Sequence, residues 1–153
     1  MLGIIGAMDE EVAKIKEKLS GVQVETTAGM DFYRGTLDGR EVVVVRSGIG
    51  KVNAAMCTQV LADKYHVSAI VNTGIAGSLN AKIDIGDIVL SSDALQHDVD
   101  ATCFGYGAGE IPRVGTLAFA ADQKLIDLAL ACCADVNPDI HTHVGRVLSG
   151  DQF

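Results

Sequence analysis

Three consecutive carboxylates, Asp9, Glu10 and Glu11, follow the Gly6-Ala7 turn that ends a short apolar run. Acids in that position have two uses. They can cap a helix and complement the positive end of its dipole. An acid partly withdrawn from water can instead serve as a general base. Helical geometry separates the three. Met8, Val12, Ile15 and Leu19 recur at spacings of 4, 3 and 4 and form one apolar stripe. On a wheel of about 100° per residue, Glu10 falls opposite that stripe, whereas Glu11 lies roughly 70° from its centre. Asp9 and Glu10 are therefore read as caps, and Glu11, at the edge of the buried face, as the candidate for chemistry.

Other reactive side chains are scattered. Cys57, Cys103, Cys132 and Cys133 contain no Cys-x-x-Cys pair and read as reduced thiols, with Cys132 and Cys133 acting as small apolar residues in a helix. His141 and His143 would share one face of a strand, an arrangement that can hold a metal, but no third ligand follows at suitable spacing, so no metal is expected. His66 and His97 stand alone and read as structural. Ser47-Gly-Ile-Gly-Lys-Val52 lacks the earlier glycine of a phosphate-binding loop and has Val52 where a hydroxyl would hold magnesium. Asn53 occupies the third glycine position of a dinucleotide fingerprint, so NAD is not implied.

The elements that must position these residues follow from hydrophobic periodicity. Residues 2–7 read as a buried strand, 10–19 as an amphipathic helix and 22–27 as a strand ended by Ala28-Gly29. Residues 32–37 and 41–46 flank Asp38-Gly39, a hairpin turn signal. Residues 51–65 read as a largely apolar, buried helix, 68–72 as a strand, and 86–91 as another. Residues 98–115, rich in glycine, read as a long structured loop, 121–134 as a helix with Leu125, Leu128, Ala129 and Cys132 on one side, and 141–148 as a last strand. The turns at Gly6, Gly48, Gly74 and Gly150 all end strands, and in an open α/β sheet that rim is where small ligands bind. The expected fold is one α/β domain over residues 1–153, a mixed central sheet flanked by helices.

Composition agrees. A 153-residue chain that is 48% hydrophobic with 17 Gly and only 2 Pro fits one compact α/β domain. A formal net charge of -8 with scattered basic residues gives no electrostatic footprint for nucleic acid. No apolar run approaches the roughly 18 residues of a membrane span and the start has no basic region, so a soluble, cytoplasmic protein is expected.

Five blocks together carry a family pattern: Gly3-Ile-Ile-Gly-Ala-Met-Asp-Glu-Glu-Val12, Ser47-Gly-Ile-Gly-Lys-Val52, Asn72-Thr-Gly-Ile-Ala-Gly77, Phe104-Gly-Tyr106 and Ser149-Gly-Asp-Gln-Phe153. In this order the chain resembles bacterial 5'-methylthioadenosine/S-adenosylhomocysteine nucleosidases, of the nucleoside phosphorylase fold. The resemblance implies hydrolysis of the adenine-ribose bond without metal or organic cofactor. It implies that Glu11 activates water, that Met8 lines the ribose pocket, Ile49 the alkylthio end and Ala76-Gly77 the purine side, and that Phe153 stacks on adenine. It further implies a homodimer in which Phe104, Tyr106 and Pro112 close the neighbouring subunit's pocket.

The family continues beyond the Ser149–Phe153 block, so this chain is expected to be its first two-thirds, without the C-terminal segment. The aspartate that protonates the purine and the glutamate that binds the ribose hydroxyls belong to that later segment, and no residue here matches either. Asp93, Asp98 and Asp100 read as loop acids and Asp151 as a turn or cap. The isolated chain is therefore expected to be nearly inactive, with an unpaired edge beside its last strand. Two other readings stay open: a nucleoside phosphorylase or futalosine hydrolase of the same fold, and a catalytically incomplete nucleoside-binding protein. Acids beside the first turn disfavour phosphate.

Overall fold

The computed structural model describes residues 1–152 and divides after Ala76 into two compact units. In the first unit, β1 (Leu2–Gly6), α1 (Asp9–Glu17), β2 (Ser20–Thr27), β3 (Met30–Leu37), β4 (Arg40–Arg46), α2 (Lys51–Asp63) and β5 (Ala69–Asn72) build a sheet of order β2-β3-β4-β1-β5. β1 is parallel to β4 and β5, whereas β2, β3 and β4 form an antiparallel meander, so this sheet is mixed, as expected. Asp38 and Gly39 both take positive φ, 47° and 79°, the conformation a two-residue hairpin turn requires.

Strand alternation sends side chains to two faces. Ile4, Val12, Val42 and Val44 are buried between the sheet and α1, with Ile15 and Leu19 half-buried against them. Ile5, Phe32, Val43, Val45, Cys57, Leu61 and Tyr65 are buried under α2, with the Phe32 and Tyr65 rings stacked at 5.2 Å. The two helices therefore cover opposite faces, and each fully buried aliphatic side chain stabilises the unit by about 1.5–3 kcal/mol.

The expectation that the second helix is buried is corrected. Within α2 only Cys57 and Leu61 are buried, while Val52 and Met56 are exposed. A helix apolar on all sides still offers a flat sheet only one stripe, and here that stripe is spaced i, i+4.

The second unit contains β6 (Ile88–Gln96), β7 (Phe119–Ala120), α3 (Gln123–Val136) and β8 (Thr142–Ser149) in a three-stranded sheet of order β7-β6-β8. β6 continues five residues beyond its expected end. A bulge after Ser91 resets the register so that Asp93 faces Arg146. β7 pairs antiparallel with β6 through two residues, too short a run to leave a periodic signal. Residues 98–115 form a loop with one 3-10 turn, Thr102–Phe104.

α3 starts at an N-cap, Asp122, whose carboxylate accepts from the Lys124 and Leu125 amides. Its inner face is rotated from the expected one: Ile126 is its buried residue, Leu125, Ala129, Leu130 and Cys133 are half-buried, and Leu128 and Cys132 are exposed. The stripe fell about one residue, or roughly 100°, from that inferred, because apolar residues on both flanks let periodicity fit either side. β8 is an edge strand, paired only to β6 among the described residues. No helix of the described residues is long and apolar enough to cross a membrane.

Candidate active site

The parallel trio β4-β1-β5 brings three strand ends to one rim. Gly6 lies opposite Arg46 and Ile5 opposite Asn72. The Ser47 amide then donates to the Gly6 carbonyl at 2.9 Å and the Thr73 amide to the Ile5 carbonyl at 2.8 Å, carrying both ladders one step past the strands. From this rim β1 leads to α1 on one face and β4 to α2 on the other. Adjacent strands whose chains leave to opposite faces open a crevice between them, which is where open α/β sheets take ligands.

Glu11 reaches into that rim. Its Oε2 accepts the Met8 amide at 2.9 Å and its Oε1 accepts the Ile75 amide at 3.1 Å. The first bond is the return half of a helix cap, with Glu11 three residues past the N-cap Met8. The second ties α1 to the segment after β5. Capping and a place in the crevice, alternatives on sequence grounds, are thus combined in one side chain. Glu11 is half-buried, and each of its oxygens retains a further lone pair for a water or hydroxyl.

Two glycines make room for it. A Cβ at Gly74 would lie 2.5 Å from Glu11 Oε1, and one at Gly6 would lie 2.7 Å from Val12 Cγ1 and 3.0 Å from Glu11 Cβ. The neighbouring acids lie in the first turn of α1 but outside the rim: Asp9 is exposed and pairs with Arg46 at 3.3 Å and Lys16 at 3.9 Å, Glu10 is exposed, and the side chain that caps the helix is that of Glu11 itself.

Met8 is half-buried at the helix start with extended backbone, φ −121° and ψ 159°. Ile49, in the turn between β4 and α2, is an exposed apolar side chain between Gly48 (φ 85°) and Gly50 (φ 100°). Ser47 is buried and its hydroxyl donates to the Gly48 carbonyl at 2.9 Å. Ala76 and Gly77 are exposed, as are Phe104 and Pro112, and Tyr106 is half-buried. Phe153 lies outside the described residues. Sequence reasoning missed Gly74 and Ile75 as the partners of Glu11; the signal present was the Thr73-Gly74 strand end, which marks a close backbone approach without saying to what.

The remaining acids are engaged elsewhere. Asp93 sits in β6, not in a loop, and takes a two-pronged bond from Arg146 at 2.6 and 2.9 Å, which holds its carboxyl below the usual range. Asp98 accepts the Asp151 amide at 2.8 Å, and Asp100 accepts the Thr102 amide at 3.0 Å and the Thr102 hydroxyl at 2.7 Å. His143 meets Asp87 at 3.0 Å and His141, just before β8, approaches it at 3.9 Å. The Asp84 amide and His143 hold Asp87 below the usual carboxylate range. Among the described residues no group of three or more His, Cys, Asp or Glu is arranged to hold a metal ion.

The sequence profile described as the phosphorylase superfamily matches residues 1–153. The chain belongs to that superfamily. It is 44% identical over 153 residues to a 5'-methylthioadenosine/S-adenosylhomocysteine nucleosidase of Staphylococcus haemolyticus, covering 100% of this chain and 66% of that relative. A nucleosidase structure from Colwellia psychrerythraea, in complex with adenine, superposes with a TM-score of 0.95 at 44% identity over 99% of this chain and 62% of that one. The Neisseria meningitidis nucleosidase, in complex with methylthio-immucillin-A, gives a TM-score of 0.95 at 34% identity, covering 99% and 65%. The superfamily member described here thus spans a little under two-thirds of the length of such relatives, and its α/β architecture is theirs over that span.

Proposed function

We propose that this chain carries the water-activating half of a nucleosidase that hydrolyses the adenine-ribose bond of 5'-methylthioadenosine or S-adenosylhomocysteine. The observation that carries the reading is the Glu11 carboxylate, fixed by the Met8 and Ile75 amides at the carboxyl rim of β1. As the bond to N9 of the purine lengthens, positive charge develops on the ribose as an oxocarbenium ion. Glu11 accepts a proton from a water beneath the sugar, the oxygen bonds to C1', and the bonding pair leaves with adenine. A carboxylate held in place by backbone donors needs little reorganisation to do this.

Around it, Met8 faces the ribose, Ile49 the 5'-alkylthio end, and Ala76 and Gly77 the purine, and the resemblance assigns Phe153 to the base. Phe104, Tyr106 and Pro112 belong to the pocket of a partner subunit in a homodimer. Neither metal nor organic cofactor enters this reaction. All four cysteines are free, which accords with a reducing compartment such as the cytoplasm. Protonation of the departing purine is assigned to no residue of this chain, since Asp93, Asp98 and Asp100 are each bound into local structure. Those commitments favour, as a second reading, nucleoside binding without turnover by these residues alone.

The test measures adenine release from both nucleosides by this chain and by an extended chain carrying the C-terminal third of the Staphylococcus haemolyticus relative. The extended chain should turn over, and the chain alone should be slower by about 10²–10⁴, the usual worth of general acid assistance. Equal rates would overturn the assignment of the acid beyond these residues. No release by the extended chain would overturn hydrolysis, and tight nucleoside binding in that case would establish the second reading.

A further inference from the structure

The loop that presents Ile49 is held from an unexpected side. Gly48 and Gly50 both adopt positive φ, so the two peptide hinges flanking Ile49 are intrinsically soft. Asn53, in the first turn of α2, reaches back and donates from Nδ2 to the Ile49 carbonyl at 2.7 Å. The same amide packs where a Cβ at Gly48 would stand, 3.1 Å from that point. The bond fixes the orientation of the amide, since a carbonyl can only accept. Gly50, the N-cap of α2, supplies no side-chain cap of its own. Asn53 thus braces Ile49 at its carbonyl and at the preceding residue, and leaves an apolar side chain 61% exposed at the ligand-binding rim.

We propose that Asn53 is a positioning residue that sets the reach of Ile49 and thereby the discrimination between 5' substituents. This rests on the proposed reading of the rim as a nucleosidase site with Ile49 at its alkylthio end. Asn53 touches no reacting atom in this scheme. Its effect falls on the tail of the nucleoside that distinguishes a methylthio group from a homocysteinyl one, not on the glycosidic bond.

The experiment compares the extended chain with its Asn53→Ala and Asn53→Asp variants, the second keeping the shape but replacing the donor with an acceptor that repels the carbonyl. The readout is the ratio of kcat/KM for 5'-methylthioadenosine to that for S-adenosylhomocysteine, alongside the melting temperature. Losing the brace should move the ratio roughly fivefold or more in both variants, the usual worth of one hydrogen bond, mainly through KM. A ratio within twofold of the parent in both variants, whatever the melting temperature does, would overturn the proposal and leave Asn53 a helix staple. A shift in the alanine variant alone would overturn the hydrogen-bond origin, and loss of folding in both would make Asn53 a fold residue and overturn it as well. If the parent releases adenine from neither nucleoside, the hydrolytic reading itself falls and takes this inference with it. That outcome is recognisable before any variant is made.

Discussion

Glu11 and Gly74 stand so close that the glycine has no room for a side chain: a Cβ there would lie 2.5 Å from the glutamate Oε1. They are 63 positions apart in the sequence and meet because β1 and β5 run parallel and adjacent. This contact gives the rim its shape, since it lets the Ile75 amide reach the carboxylate at 3.1 Å.

Gly74→Ala should therefore displace the carboxylate without disturbing the core. A shift of about 1 Å at a catalytic group costs on the order of 10²-fold in rate. The expected outcome in the extended chain is that loss of adenine release with an unchanged circular dichroism spectrum. Retention of parental kcat would mean that Glu11 tolerates the methyl group and that its bond to Ile75 is dispensable.

The correction to α2 leads to a stability contrast. Leu61 is fully buried and its methyl groups pack on Gly3, whereas Val52 is 71% exposed. Leu61→Ala should destabilise the chain by about 2–5 kcal/mol, and Val52→Ala should change stability by no more than about 0.5 kcal/mol. Urea unfolding of both variants measures this, and equal effects would contradict the sidedness of the helix.

Thiol chemistry gives an independent check on burial. Cys57 is fully enclosed and burial pushes its thiol up to about 11, whereas Cys103 and Cys132 are exposed. A maleimide at neutral pH should label Cys103 and Cys132 in the native chain and Cys57 only after unfolding, as read by peptide mass. A raised value favours the neutral thiol in the fold, so this contribution is intact below the ordinary 9.0 and fades as pH rises toward about 11.

Acid stability should depend on the β6–β8 ties. Asp93 is held below its ordinary 3.8 by the hydrogen bonds from Arg146, and Asp87 by the Asp84 amide and then His143. A depressed carboxylate stabilises the fold above its ordinary value and loses that contribution as pH falls through the depressed one. Asn at position 93 cannot titrate. The melting temperature of Asp93→Asn should lie below that of the parent at neutral pH, with the gap closing as pH drops below 3.8. A gap independent of pH would show that the charge is not what Arg146 recognises.

These elements also show what a sequence can and cannot disclose. The hairpin at Asp38-Gly39, the strand ending at Gly6 and the helix beginning at the acids were legible because each is set by local turn chemistry or by period. The burial of α2 and the inner face of α3 were misjudged, since both depend on which flank a sheet covers and both helices are apolar on more than one side. Glu11 could be singled out by its angle on the helix, but its partner could not. The Ile75 amide comes from a strand end that only the parallel pairing of β1 and β5 brings into reach. Asn53 showed itself in the sequence only as a departure from a dinucleotide motif, and its bond to Ile49 depends on the positive-φ turn at Gly48 and Gly50, which no periodicity encodes.

The central claim is that Glu11 is the base that activates water. Glu11→Gln keeps the shape of the side chain and one oxygen for the backbone donors but cannot accept the proton. The direct measurement is single-turnover adenine release from 5'-methylthioadenosine by the extended chain and this variant, with the melting temperature recorded for each. The expected result is a rate reduced by about 10²–10⁴ at a melting temperature within a few degrees of the parent. A variant that releases adenine within twofold of the parental rate would contradict the assignment of Glu11.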